Sequence, residues 1–313
     1  MNSLENKTVL ITGASGFIGS HLAEHLSTIK DVRLLLLSRQ QQVSENENIR
    51  WLQGSLHDLT RDYWKEHGIF DIDIVFHLGG FTPKSASDAN NRERVYSDNL
   101  LGTRTLLEGL PSKIQSIIFS STLDVYASLS SGEVLTEVSR VEPTGLYGAS
   151  KLFCERLITT WATEHHCRYA ILRYGHIFGP GEEAYAKLIP LVIRELLAGK
   201  APKVYGSGKA ERDFLYVGDA VQATIRAALA DRNIDPINIV RGQSSPIRKI
   251  VELLIDIIDC SLPINYLTDK PDGHSLRFDN SLMRKVLGDW SLVSLANGLA
   301  EEVKACRRLE NVN

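Results

Sequence analysis

The sequence predicts an α/β fold: a doubly wound parallel sheet with a smaller, interleaved α/β lobe. Three observations carry this. Short apolar runs (Thr8–Thr12, Val32–Leu37, Ile72–Leu78, Ile114–Ser121, Arg168–Tyr174) alternate with amphipathic stretches such as His21–Ile29 and Ser150–His165. Several runs are continuously apolar, as strands covered on both faces must be. Right-handed crossovers then order the strands in parallel. At 313 residues the chain exceeds the size of a single growing core, which implies lobes around a cleft.

Phe178-Gly179-Pro180-Gly181 marks a boundary. A helix over Leu188–Ala198 and a strand and turn at Val204–Gly208 follow. Ile237–Val240 returns to the sheet, and the remainder is mostly helical, with a strand at Pro263–Leu267. We assign residues 1–178, with a return strand within about 212–243, to a dinucleotide-binding domain. Residues 179–211 and 244–313 form the second lobe.

A net charge of -3 and the lack of a basic run argue against nucleic-acid binding. The apolar runs are too short to span a bilayer. Met1–Lys7 passes directly into a strand-like segment without an apolar h-region, so no secretory signal is expected. Four scattered cysteines without a CxxC pair suit a reducing, cytoplasmic setting. The adjacent His165-His166-Cys167 point in different directions on a helix and suggest no metal site.

Gly13-Ala14-Ser15-Gly16-Phe17-Ile18-Gly19 lies between a strand and a helix. Glycines there permit a tight turn and close approach of backbone to a pyrophosphate, and the helix N-terminus supplies free N–H groups. Tyr147 and Lys151 are four apart at the start of a helical stretch and share one face. They follow Ser120-Ser121-Thr122 at the C-terminal end of an apolar strand, the edge at which open α/β sheets bind ligands.

The spacing GxxGxxG, with Thr12–Leu22 around it, resembles the extended short-chain dehydrogenase/reductases, the nucleotide-sugar epimerase, dehydratase and reductase family. The resemblance continues through His77-Leu78-Gly79-Gly80, Asn99, Phe119–Thr122, Val125-Tyr126, Tyr147–Lys151, Arg173-Tyr174 and Arg212–Asp219. It implies a Rossmann-type sheet, a substrate-binding second lobe, a nucleotide-diphosphosugar substrate and a homodimer built on Asn90–Leu110 and Ser150–His165. By the same resemblance Tyr147 is the acid/base, Lys151 holds the nicotinamide ribose and tunes the phenol, and Thr122 binds the reacting oxygen. A free phenol titrates near pH ~10, and the ammonium and nicotinamide are expected to lower it.

The cofactor is expected to contact Gly13, Ser15, Gly16, Phe17, Ile18, Gly19, Ser55, Leu56, Leu78, Gly79, Gly80, Asn99 and Tyr174, besides Tyr147 and Lys151. An NAD site places a carboxylate about 20 residues past the glycines. Here the second strand ends Leu37-Ser38-Arg39, and Ser38 with Arg39 suits a 2′-phosphate, so NADP(H) is expected over NAD(H). Ser55 stands where the family carries an adenine-contacting Asp. On the substrate side Thr82, Lys84 and Ser85 line the sugar pocket, and Arg212 matches the arginine that clamps the diphosphate. Arg277 adds a second contact, and His176 replaces the usual Asn.

Thr122-Leu123-Asp124 lacks the acidic pair of the 4,6-dehydratases, since Leu123 transfers no proton. Asp124 reads as the cap of a local turn, with a role as base the alternative. Ser38-Arg39 and Lys270-Pro271-Asp272-Gly273, similar to a late segment of nucleotide-sugar reductases such as the GDP-fucose synthases, point to a 4-ketoreductase of an NDP-4-keto-6-deoxyhexose. The alternative is a 4-epimerase with tightly held NAD. A dehydratase and a non-catalytic cofactor-binding protein rank below both.

Overall fold

The structure is a computed structural model that describes residues 3–85, 88, 91–111, 113–127, 132–269 and 271–310. Seven parallel strands form the central sheet: β1 (Thr8–Thr12), β2 (Arg33–Ser38), β3 (Ile49–Gln53), β4 (Ile74–His77), β5 (Ser116–Thr122), β6 (Arg168–Tyr174) and β7 (Ile234–Ile239), in the order β7-β6-β5-β4-β1-β2-β3. The order reverses between β1 and β4, where Thr12 pairs with His77, and a crevice opens beyond their C-terminal ends.

Period-two alternation sends each strand's side chains to two separate cores. Val9 and Ile11 of β1, with Leu34 and Leu36 of β2, pack under helix α1 (Phe17–Leu26). Leu10, Leu35 and Leu37 face the other way, toward Trp64, Leu106 and Ile158. The long helix α2 (Leu146–Glu164) covers that second face and starts one turn earlier than its apolar periodicity suggests, so it includes Tyr147. β3 shows no strand signal in the sequence because it is an edge strand with Arg50 and Gln53 exposed and no continuous apolar run.

The second lobe packs helices α3 (Leu188–Leu197), α5 (Ile247–Ile258) and α6 (Leu295–Glu310) around Ile193, Leu254 and Leu299. Helix α4 (Val217–Leu229), between α3 and α5 in sequence, belongs to the α1 face of the sheet. Within the stretch expected to return to the sheet, only Ile234–Ile239 does so. Glu211–Tyr216 pairs with His176–Phe178 and Ser244–Pro246 in a small sheet beside the crevice. Val134–Leu135 pairs with Arg277–Phe278, and Lys203–Tyr205 with Asn265–Leu267. Among the described residues no helix is long and apolar enough to cross a membrane, and no disulfide joins the four cysteines.

Beneath the crevice lies a buried polar network. Arg173 of β6 donates to both carboxylate oxygens of Glu155 at 2.9 and 2.8 Å, and its third nitrogen donates to Tyr126 at 3.0 Å. The Tyr126 hydroxyl donates to Asn238 of β7 at 2.7 Å, and Ser121 of β5 donates to Glu155 at 2.5 Å. Removing one partner leaves an uncompensated buried charge. Arg173→Met is therefore expected to lower the unfolding free energy by about 3–5 kcal/mol. Denaturant titration measures this, and a loss below about 1 kcal/mol would show the pair to be expendable.

Candidate active site

The Gly13–Gly19 loop joins β1 to α1. Gly13 has φ +72°, and a Cβ there would lie 2.8 Å from the Gly79 amide, so the loops after β1 and β4 touch backbone to backbone. A Cβ on Gly19 would collide with the Gly13 carbonyl. The Gly16 N–H is spent on Gly13, and the first helical bond runs from Ser20 to Gly16. No side chain caps α1 and its first turn has no acid, so the Phe17, Ile18 and Gly19 amides have no intrahelical partner. That cradle fits the pyrophosphate of a dinucleotide.

A cleft extends from the loop along Ser15, Ser38, Arg39, Ser55, Leu56, His57, Leu78, Gly79 and Gly80. The expected contacts are refined there. Ser38 is buried and its hydroxyl accepts the Gln40 N–H, leaving exposed Arg39 as the cation at the end of β2. The Ser55 hydroxyl caps the turn Leu56–Asp58 and donates to Asp58 at 2.8 Å. The buried Asn99 amide is consumed by the Phe81 backbone (2.6 and 3.2 Å) and by Ser150. Asn99 thus shapes the loop after β4, with both amide hydrogens committed to Phe81 and Ser150. Tyr174, also expected at the cofactor, lies in the core with its hydroxyl bonded to Thr224 at 2.5 Å. His77 is a fully buried structural residue between Thr12 and Thr103, and burial pushes it down to about 3, so it is neutral.

At the end of β5, Thr122 faces the first turn of α2. The half-buried Tyr147 phenol is hydrogen-bonded by Thr82 and Thr122. Desolvation nevertheless pushes it well above its ordinary value, and nearby Asp124 and Tyr185 add to the rise. The expected lowering by Lys151 is not built into the protein alone. The Lys151 ammonium is buried over the Phe119 ring and donates to the Ser120 carbonyl at 2.8 Å. Desolvation brings it down to about 8, against the opposing influence of Cys154 and Glu155. The turn Leu123–Val125 is capped by Thr122 and not by Asp124: Thr122 Oγ1 accepts the Asp124 N–H at 3.2 Å, and the Asp124 carboxyl, pushed up by burial, faces the same hydroxyl.

Across the crevice, Arg212 is braced by the Glu211 and His274 carbonyls (2.8 and 2.5 Å) and has no carboxylate partner among the described residues. His176 packs on Phe214, and its buried Nδ1 has no hydrogen-bond partner among the described residues. Burial, with Arg212 and Lys187 nearby, lowers it to about 4, so it is a neutral imidazole. Arg277, half exposed, is ion-paired with Glu211, the chain neighbour of Arg212, so its charge is already shared with a carboxylate. Lys84 is exposed and rests over the Tyr185 ring, 5.7 Å from its centroid. Lys270 lies outside the described residues, whereas Asp272 accepts from the Ser207 and Gly208 amides.

Tyr185 and Lys187 carry no clear signal in the sequence. Tyr185 stands 6.4 Å from Phe17, carries the Lys187 ammonium 4.8 Å above its ring, and acts electrostatically on Tyr147. They sit past a Gly-Pro-Gly break in a stretch without periodicity; the one available hint is an aromatic and a cation between that break and a helix.

The arrangement sets a Thr122–Tyr147–Lys151 cluster in an α/β crevice, between a glycine loop suited to a dinucleotide and the guanidinium of Arg212. Residues 9–240 match the NAD dependent epimerase/dehydratase family, and the chain belongs to that family. It is 30% identical to a UDP-N-acetyl-alpha-D-glucosaminuronate decarboxylase of Bacillus cytotoxicus over 97% of this chain and 99% of that protein. It is 33% identical to a dTDP-D-glucose 4,6-dehydratase of Dictyostelium discoideum over 69% of this chain, which spans only 54% of that protein. Its structure resembles a UDP-glucuronic acid 4-epimerase of Bacillus cereus, solved with UDP-glucuronic acid and NAD, at a TM-score of 0.82, with 26% identity and coverage of 96% and 99%.

Tyr147→Phe removes only the phenol oxygen. Dinucleotide affinity, followed by fluorescence titration, is expected to stay within about 2-fold, while turnover falls by at least about 100-fold. Turnover near that of the unmodified enzyme would overturn the assignment.

Proposed function

We propose that the chain is a nucleotide-sugar 4-epimerase. The observation that carries this reading is a single acid–base group: one phenol, hydrogen-bonded by Thr82 and Thr122, with apolar Leu123 following Thr122. Epimerisation at C4 asks for a proton taken and returned by one group. The likeness to a 4-epimerase along nearly the whole chain supports it.

In this reading Tyr147 takes the proton of the C4 hydroxyl and Thr122 orients that oxygen. Lys151, protonated below about 8, supplies positive charge that favours the phenolate. A bound dinucleotide supplies the hydride acceptor and donor. The Gly13–Gly19 cradle holds its pyrophosphate, and Leu78–Gly80 lines the path to the reacting centre. Arg212 provides a planar charged fork for the substrate diphosphate, with neutral His176 beside it. Once the keto sugar has turned over and presents the opposite face of C4 for return of the hydride, Tyr147 gives its proton back to the C4 oxygen. A homodimer through the helical stretch Val95–Gly109 and α2 belongs to the same reading, with Tyr96, Leu101 and Phe153 exposed along those two elements.

Arg39 favours a second reading, a 4-ketoreductase with NADP(H), because β2 ends without the carboxylate that binds an NAD ribose. One experiment separates the two. The protein is incubated with UDP-, TDP-, GDP- and CDP-sugars without added cofactor, C4 inversion is followed by NMR, and dinucleotide released on denaturation is identified. Inversion with co-purifying dinucleotide is the expected outcome. NADPH oxidation by 4-keto-6-deoxysugars, with a lower Kd for NADPH than for NADH, would establish the reductase instead. Turnover of neither class would remove both.

A further inference from the structure

Residues 271–275 form a strap beside the strand that carries Arg212. It starts at the turn Gly206-Ser207-Gly208 and leads to Arg277–Phe278, which pairs with Val134–Leu135. In between it follows Glu211, whose N–H donates to Ser275 at 3.1 Å and whose carbonyl accepts the Leu276 N–H at 2.9 Å. The strap has no helix or strand of its own. Such a segment keeps its path only through individual contacts of this kind.

Asp272 ties the strap to the turn. Its Oδ1 accepts the Ser207 and Gly208 amides at 2.8 and 3.0 Å, and its Oδ2 accepts the Ser207 hydroxyl at 2.6 Å. Gly206 and Gly208 have φ of +64° and +68°, and successive N–H groups in such a turn form a concave anion site. A Cβ on Gly206 would lie 2.5 Å from Asp272 Oδ1, so the turn is shaped to the carboxylate. The Ser207 hydroxyl, with the amides behind it, holds this exposed carboxyl below its ordinary value, and it is ionised at neutral pH.

Two residues further on, the strap meets the guanidinium. The His274 carbonyl accepts from Arg212 Nη1 at 2.5 Å, and Gly273 lies against Nη2, where a Cβ would come within 3.4 Å. With the Glu211 carbonyl, His274 fixes Nη1 from two directions. Nε and Nη2 donate to no group among the described residues. That edge of a guanidinium pairs with two oxygens of one anion, and Arg173 presents the same edge to Glu155. Arg212 is thus clamped at one nitrogen and open along its fork.

We propose that Asp272 is a positioning residue: gripped by the 206–208 turn, it fixes the strap, and the strap's His274 carbonyl holds Arg212 with its open edge toward the substrate diphosphate. Asp272 acts through Arg212 and not on the ligand. The chain of contacts from the turn to the guanidinium stands on the distances above. Only the identity of the anion rests on the reading of the site as a nucleotide-sugar pocket.

A double-mutant cycle on binding tests this without any turnover. UDP, TDP, GDP and CDP are titrated into the wild-type protein by calorimetry, and the tightest binder serves as the probe. Asp272→Ala is expected to raise its Kd by about 5-fold or more, and Arg212→Met by at least as much. The double variant is expected within about 2-fold of Arg212→Met alone, because the strap acts through the guanidinium. Losses that multiply in the double variant would overturn the positioning role, as would an unchanged Kd in Asp272→Ala. Gly206→Ala disturbs the clip from its other side and is expected to reproduce the Asp272→Ala loss; normal binding would show the clip to be expendable. Dinucleotide affinity is expected to stay within about 2-fold in every variant, and a parallel fall there refutes a local role. For the sugar that is turned over, Asp272→Ala raises KM with kcat little changed, and a loss confined to kcat contradicts the proposal. A cycle that holds without C4 inversion removes the 4-epimerase reading and leaves the proposal standing. A wild-type protein that binds no nucleoside diphosphate removes the diphosphate role of Arg212 and the proposal with it.

Discussion

The ion pair between Arg173 and Glu155 is the constraint on which the active site depends. Glu155 lies one turn beyond Lys151 on the same face of α2, and it receives Arg173 from β6 and Ser121 from β5, the neighbour of Thr122. The two elements that carry Thr122, Tyr147 and Lys151, β5 and α2, are thereby tied to each other and to β6 by a contact that tolerates little displacement. Two charges out of water are costly, and bidentate geometry with the Tyr126–Asn238 extension is what offsets that cost. The negative charge of Glu155 also opposes the desolvation of Lys151.

The electrostatics of the centre follow from the same burial. Removing water raises Tyr147 and lowers Lys151, so both groups move toward their neutral forms. The protein alone therefore does not prepare a phenolate. Thr82 and Thr122 stabilise the charged form and partly compensate, but the balance remains with desolvation. A positively charged ring beside the phenol would supply the missing favourable charge, which couples proton transfer to occupancy of the Gly13–Gly19 cradle.

Much of this is legible in the chain because the signals are local. Continuous apolar runs mark β1, β2, β4, β5 and β6, and glycines at Gly13, Gly16 and Gly19 mark a backbone path that a side chain would block. Tyr147 and Lys151 share a face through helix geometry alone. What is not legible in the chain shares a cause as well. Arg212 and Arg277 look alike as isolated arginines, and only the fold sets Glu211 beside Arg277 while leaving Arg212 braced by carbonyls. Asn99 and Tyr174 look like free polar groups until the fold delivers Phe81, Ser150 and Thr224 to them.

By itself the sequence determined the doubly wound sheet, the phosphate cradle and the Thr122–Tyr147–Lys151 centre, because periodicity, turn chemistry and i, i+4 spacing act over a few residues. Tertiary structure alone decided which charges survive in the crevice. Whether an ionisable group is free, paired or stripped of water depends on neighbours distant in sequence: Glu155 on Arg173, Tyr185 against Phe17, Glu211 beside Arg277. Desolvation and Coulomb energy are properties of the assembled surroundings, and no local pattern encodes them.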